Sequence, residues 1–392
     1  MAEAIIKTIE LTLTCPVKIS PFATEHFFAR YEFSTPYPLC NSDCESVSIE
    51  DLLQLSGDSL EALGRERLVY TRSEGSPELR EAIAASYSRV RPDDVVVLGT
   101  PVEGIYLAAR TLLEPGDEVI VLNPAYDALI NLFEHVAGAD HVRKWEFRAD
   151  RSRWSLDLDD LRALLTPATK LLVVNFPHNP TGFLPTAEWQ QALAQLAQDH
   201  GLWLFCDEMY FGLTHSGTPA IPSMADVCDR AMVLSGLSKT HGLPGLRCGW
   251  LIVPDRAVRH ELMNWKFYTS ICPPVPTEYL ARAALRVGDE LRRRNVARIE
   301  RNLGFAEAFF ARWPTLFEWR RPLAGSTALV GFDVPSVAQL AERLASEEGL
   351  LIQSAAMLGG NDQQMRIGLG REAFPAALER FERWLVRNPT GG

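Results

Sequence analysis

Positive charge is scarce in this sequence: 39 lysines and arginines stand against 50 aspartates and glutamates, for a net charge of -11. That balance argues against a nucleic-acid partner, which needs a basic face. The single arginine-rich run, Arg286 to Arg301, is interleaved with Asp289, Glu290 and Glu300 and reads as the mixed-charge face of a long helix. Seven cysteines, at 15, 40, 44, 206, 228, 248 and 272, form no CxxC pair. Neither a disulfide framework nor a zinc site is expected from them, and a reduced, cytoplasmic compartment is. There is no run of about 18 apolar residues, and the N-terminus has no basic segment leading into an apolar one. No membrane partner and no export are expected. Internal repeats and low-complexity segments are absent too.

What remains is a chain of 392 residues, 47% hydrophobic and 23% charged, long enough for a large core and more than one domain. Short apolar runs at Val95–Leu98, Val119–Leu122, Lys170–Asn175, Leu202–Cys206 and Ala231–Leu234 read as buried strands. Between them lie stretches of helical periodicity over 76–89, 104–113, 127–136, 156–165 and 187–200. Ser48 caps a further short helix to Leu55, and residues 1–45, with four prolines, read as irregular. Alternation of this kind predicts an α/β fold with a mainly parallel sheet covered on both faces. In such sheets ligands sit beyond the carboxyl ends of the strands. From Pro276 the texture changes to long helices, then short strands at Ala328–Phe332 and Met365–Leu369. A last helix places Phe374, Leu378, Phe381 and Leu385 on one face. A large domain over 46–285 is expected, with 1–45 and 286–392 forming an N-terminal arm and a smaller α+β domain.

The loops after the strands carry the chemistry. Asn179-Pro180-Thr181-Gly182 follows one strand, and Asp207-Glu208-Met209-Tyr210 follows the next, 28 residues on. Lys239 comes 32 residues later, between Ser238 and Thr240, and Arg247 eight beyond that. A lysine lifted into a dry pocket loses its proton and attacks an aldehyde; an arginine fork suits a phosphate. Each residue alone has a plainer reading: Asp207 as a helix cap, Asn179 as a turn residue, Tyr210 as a core aromatic, Arg247 as a surface ion pair. Four in this order at these spacings carry more.

On those motifs the chain resembles the fold-type-I enzymes dependent on pyridoxal 5'-phosphate (PLP), specifically the class I/II aminotransferases, over residues 68 to 254. The resemblance implies that Lys239 holds PLP as an imine and then moves the substrate Cα proton. Asp207 would face the pyridine nitrogen, with Asn179 and Tyr210 on the phenolic oxygen. Arg247, Thr100, Val102, Ser235 and Ser238 would surround the phosphate at the start of a helix, where Pro101 takes a place that usually donates an N–H. Tyr126 matches the aromatic that stacks on the ring, and Tyr70 the one that reaches a neighbouring subunit's phosphate, implying a homodimer with shared active sites. Arg366, in Met365-Arg366-Ile367-Gly368-Leu369-Gly370, matches the arginine that grips the substrate α-carboxylate.

The stretch from Tyr31 to Glu45 departs from the family pattern, being richer in polar and acidic groups. With the loops at 175–180 and 243–247 it is similar to the capreomycidine synthase-like PLP cyclases. Two activities are therefore expected in order: aminotransfer on an L-amino acid, or elimination and ring closure on a hydroxylated arginine-type amino acid. Glu25, Glu32, Asp43 and Glu45 suit a cationic side chain, or are a solvated loop.

Overall fold

Four consecutive residues of Val95–Leu98 are buried on every side, and the neighbouring strands share that character, because each lies inside a sheet with apolar cover above and below. We number them β1 (Val95–Leu98), β2 (Glu118–Asn123), β3 (Val142–Glu146), β4 (Thr169–Asn175), β5 (Trp203–Asp207), β6 (Ala231–Gly236) and β7 (Gly249–Ile252). The computed structural model describes residues 19–388. Strand order is β1-β7-β6-β5-β4-β2-β3. All neighbours run parallel except β7, which is antiparallel to both β1 and β6. Side chains alternate between faces: Val95, Val97, Leu172 and Val174 join one apolar cluster, while Val96, Leu98, Leu171 and Val173 join the other.

A second, antiparallel sheet is formed by β8 (Phe317–Glu318), β9 (Thr327–Phe332), β10 (Gln353–Ser354) and β11 (Gln364–Gly368), in the order β8-β9-β11-β10. It shares a third apolar cluster with the C-terminal helix Phe374–Arg387, through Phe381 and Leu385, and with Leu39 and Cys40 from the N-terminal segment. The helix Gly288–Phe310 runs from one core to the other: Leu291 belongs to the first cluster, Ile299 and Leu303 to the third. We propose this helix as the join between the large domain and the smaller one.

The expected elements are present with ends displaced by a few residues. Ser48 caps Ile49–Ser56 by accepting from the Asp51 N–H. Residues 19–45 correct the expectation of an irregular segment, since Ala23–Tyr31 is a helix with Glu25 in its first turn and Arg30 in its last, charges that suit its dipole. Further helices, Arg256–Phe267 and Val337–Glu348, open on Asp255 and Ser336 as side-chain caps. The N-terminal part of the irregular reading, residues 1–18, lies outside the described residues.

Candidate active site

The carboxyl ends of β4 and β5, the turn after β6 and the start of the helix Pro101–Leu112 meet at a cavity of about 350 Å³. Asn175, the last residue of β4, lies opposite Asp207, the last of β5. Its amide nitrogen donates to the Asp207 carbonyl at 2.7 Å, and its amide oxygen accepts from the Asn179 N–H at 2.7 Å. One side chain thus ties the two loops in register. Next to it the His178 ring is held between the Thr181 hydroxyl at 2.8 Å and the Pro124 carbonyl at 2.9 Å. Burial brings its pKa down to about 3, so it stays neutral and fixes the loop.

Asp207 accepts from the Met209 N–H at 3.0 Å and is 6% exposed. Withdrawal from water lifts its pKa to about 6, against the opposing pull of that hydrogen bond and of Lys239. The Lys239 amine keeps some surface open to the cavity and donates to the Ser42 hydroxyl at 2.9 Å. Burial lowers its pKa, opposed by Asp43 and helped by Arg366. A deprotonated amine is the form that bonds to a carbonyl carbon.

At the other end, Arg247 adopts the left-handed region, φ 51° and ψ 39°, in the turn closed by Leu243 to Leu246. For a residue with a Cβ this costs about 1 kcal/mol, and it swings the guanidinium over to the Thr100 hydroxyl at the helix start. Pro101 and Val102 line the cavity there. A Cβ at Gly249 would come within 2.9 Å of Pro101, so glycine on β7 lets the helix seat against the sheet. Beside them the Ser238 hydroxyl is buried with no partner.

Arg366 owes its place to alternation along β11. Met365 and Ile367 enter the apolar cluster, which turns Arg366 to the opposite face and into the cavity. It is 1% exposed. Its guanidinium donates to the Asn179 amide oxygen at 3.3 Å and the Cys40 carbonyl at 3.0 Å, and its Nε has no partner. No carboxylate pairs with it among the described residues. A buried guanidinium in that condition is incomplete without an anion.

Asn41, Ser42 and Asp43 roof the cavity because glycines stand at the end of β11 and just beyond it. A Cβ at Gly368 would fall 1.6 Å from the Asn41 carbonyl oxygen, and one at Gly370 would fall 2.4 Å from that of Asp43. Backbone hydrogen bonds from Gly368 to Leu39 and from Glu45 to Gly370 stitch the two segments together. Gly368→Ala is expected to lower stability by about 1–3 kcal/mol, read as a drop in Tm, and to weaken substrate binding along with it.

The chain matches the family model for aminotransferase class I and II over residues 39–373. The chain belongs to that family. Capreomycidine synthase of Streptomyces vinaceus is 35% identical over 298 residues, 75% of this chain and 74% of that protein. Arginine–pyruvate transaminase AruH of Pseudomonas aeruginosa is 33% identical over 237 residues, 58% of this chain and 55% of that one. Among solved structures, a PLP-dependent aminotransferase from Streptococcus suis superposes with a TM-score of 0.88 at 28% identity, covering 95% of this chain and 99% of its own. The PLP-dependent cyclase OrfR superposes at 0.86 and 26% identity, covering 96% and 100%.

The cavity fits the cofactor expected of a class I/II aminotransferase. It brings together Arg247 at the helix start, the unpaired Ser238 hydroxyl, the Lys239 amine and the buried Asp207 carboxylate. Lys239, Asp207, Tyr210, Tyr126, Asn179, Ser238, Pro101, Val102, Arg247 and Arg366 all line it. Ser235 does not: it stands next to cavity-lining Leu234 on β6, so alternation sends its hydroxyl to the Glu208 carbonyl at 3.3 Å. Thr100 sits at the rim, held by Arg247. Tyr70 is 86% exposed and does not line the cavity. Glu45 also faces away, accepting from the Glu372 N–H. Asn175, Asn41 and Ser42 are additions that the motifs did not single out.

Proposed function

We propose that the protein is a PLP-dependent enzyme acting on L-amino acids, with aminotransfer as its reaction. The observation that carries the reading is the unpaired Arg366 guanidinium in the same cavity as the water-shielded Lys239 amine. One suits an α-carboxylate, the other the aldehyde of the cofactor. When bound, PLP supplies an electron sink for the charge left at Cα as one of its bonds breaks.

The chain's own residues do the rest. Arg366 orients the substrate through its carboxylate, with Asn179 holding the guanidinium from the side. Lys239 Nζ, whose pKa burial lowers, would take the substrate Cα proton and hold it for return as the reaction proceeds. Asp207 keeps a negative charge where the ring nitrogen would lie, and Arg247, Val102 and Ser238 would hold the phosphate. Tyr210, whose hydroxyl burial keeps protonated, serves as a donor. Tyr126 closes one side of the cavity, its hydroxyl on Glu25 at 3.0 Å. The exposed apolar group Leu68, Val69, Tyr70 and Tyr268 supports a homodimer whose partner Tyr70 completes each site.

A second reading is elimination and ring closure on a hydroxylated arginine-type amino acid. It is favoured by the match along three quarters of the chain to capreomycidine synthase and by the fold likeness to a PLP-dependent cyclase. Incubating holoenzyme with a panel of amino acids, arginine and its hydroxylated forms included, separates the two. Without any keto acid, conversion of the cofactor to pyridoxamine phosphate with release of a keto acid is the expected result. A dehydrated or ring-closed product with the cofactor unchanged selects the second reading. No reaction with any amino acid contradicts both.

A further inference from the structure

The charged groups lining the cavity can be matched one by one. Asp43 is taken by Arg371, which donates two hydrogen bonds to it at 3.0 and 2.7 Å. Asp207, Lys239, Arg247 and Arg366 are used in the reading above. Glu25 and Glu32 remain, and neither has an arginine or lysine partner among the described residues. Among the described residues Glu25 accepts only from the Tyr126 hydroxyl, and Glu32 only from the Asn41 amide nitrogen at 3.1 Å. Half-buried, Glu32 has its pKa raised by burial and then by the nearness of Asp43; the smaller effects of the Arg371 and Lys239 charges pull the other way without reversing the shift.

Asn41 supplies an independent sign. It is 6% exposed and lines the same cavity. Its amide nitrogen is spent on Glu32, which leaves the amide oxygen as a buried acceptor with no donor. Buried polar atoms normally have partners, and an orphaned acceptor beside an unpaired carboxylate asks for a group with several N–H donors and positive charge. A guanidinium has five donors in a planar fork and never loses its charge.

We infer that Glu32 and Asn41, with Glu25 nearby, form a subsite for a cationic, guanidinium-type side chain of the amino-acid substrate. The inference rests on the proposed function and names the substrate class for that same cavity. Arg366 is bonded to the carbonyl of Cys40, the residue before Asn41. The carboxylate anchor and the cation subsite are therefore built on one segment, and both stand or shift with the roof.

The test uses holoenzyme and equilibrium titrations followed by the cofactor's absorbance, with L-arginine, L-citrulline (the neutral isostere) and L-norleucine. Arginine is expected to bind at least tenfold more tightly than citrulline. Glu32→Gln, which keeps the shape and an acceptor for Asn41, should weaken arginine on the order of ten- to a hundredfold and leave citrulline nearly unmoved. Glu25→Gln is the second variant and should act in the same direction, less strongly. The inference is overturned if the wild-type protein does not distinguish arginine from citrulline, or if Glu32→Gln weakens the two alike. Either result leaves the proposed function standing so long as amino acids still perturb the absorbance. If no amino acid does, the proposed function fails and the subsite falls with it.

Discussion

Lys239→Ala is expected to abolish turnover, with a loss on the order of a thousandfold or more, and to remove the cofactor's long-wavelength band. The Lys239 amine is the one lysine nitrogen among the cavity's lining residues, and its pKa is lowered chiefly because the protein around it excludes water. Losing it removes the group that meets the aldehyde and the group that carries the proton together. The fold should survive, since the side chain is anchored to the roof only through Ser42. Absorbance spectra and thermal melts of the purified variant check both halves. An unchanged band in Lys239→Ala would remove the lysine from the account.

The second large effect is expected at Asp207. Asparagine keeps the size and still accepts from the Met209 N–H, so the fold should be kept and the cofactor still bound, with an affinity near that of the wild-type protein at low pH. The charge is lost, and with it the field that would hold a proton on the ring nitrogen, at a cost of roughly a hundred- to a thousandfold in kcat. In the protein without cofactor the burial of Asp207 raises its pKa to about 6, so a good part of the population is protonated just below neutrality. A cationic ring nitrogen beside it pulls that value down. Cofactor affinity should therefore fall as pH drops through about 6 in the wild-type protein and lose that dependence in Asp207→Asn. Steady-state kinetics and a cofactor titration across pH test the pair of claims. Unchanged kcat in Asp207→Asn would take Asp207 out of the mechanism.

Much of this site could be read from the sequence because a parallel sheet sorts its functional residues by position. Asn179, Asp207 and Lys239 each follow the end of an apolar run, and the sheet brings those ends side by side. Arg366 was legible through the resemblance of its segment to the family's; the alternation of Met365 and Ile367 around it explains why it faces the cavity. Ser235 was misplaced by the same rule, since it lies inside β6 rather than past its end, and its neighbour Leu234 takes the cavity face. The roof was the illegible part. Asn41 and Ser42 are set by close contact with Gly368 and by a hydrogen bond from Ser326 to the Ser42 carbonyl at 2.6 Å. Those partners are about 300 residues distant, and no local periodicity reports such a contact. The helix Ala23–Tyr31 was hidden by the prolines on either side of it, although its charges are arranged as a helix wants them.

Two described lysines are withdrawn from water, and only one of them faces the cavity. Lys266 is fully buried and donates to the Ser270 hydroxyl at 3.0 Å and the Ile271 carbonyl at 3.3 Å. Burial lowers its pKa as well. Chemistry on a shielded amine alone would not tell the two apart; position does. Borohydride reduction of the holoenzyme, followed by proteolysis and mass mapping, reads the attachment directly. The cofactor should be found on the peptide carrying Ser238-Lys239-Thr240, and a label on Lys266 or on no lysine at all would contradict the account.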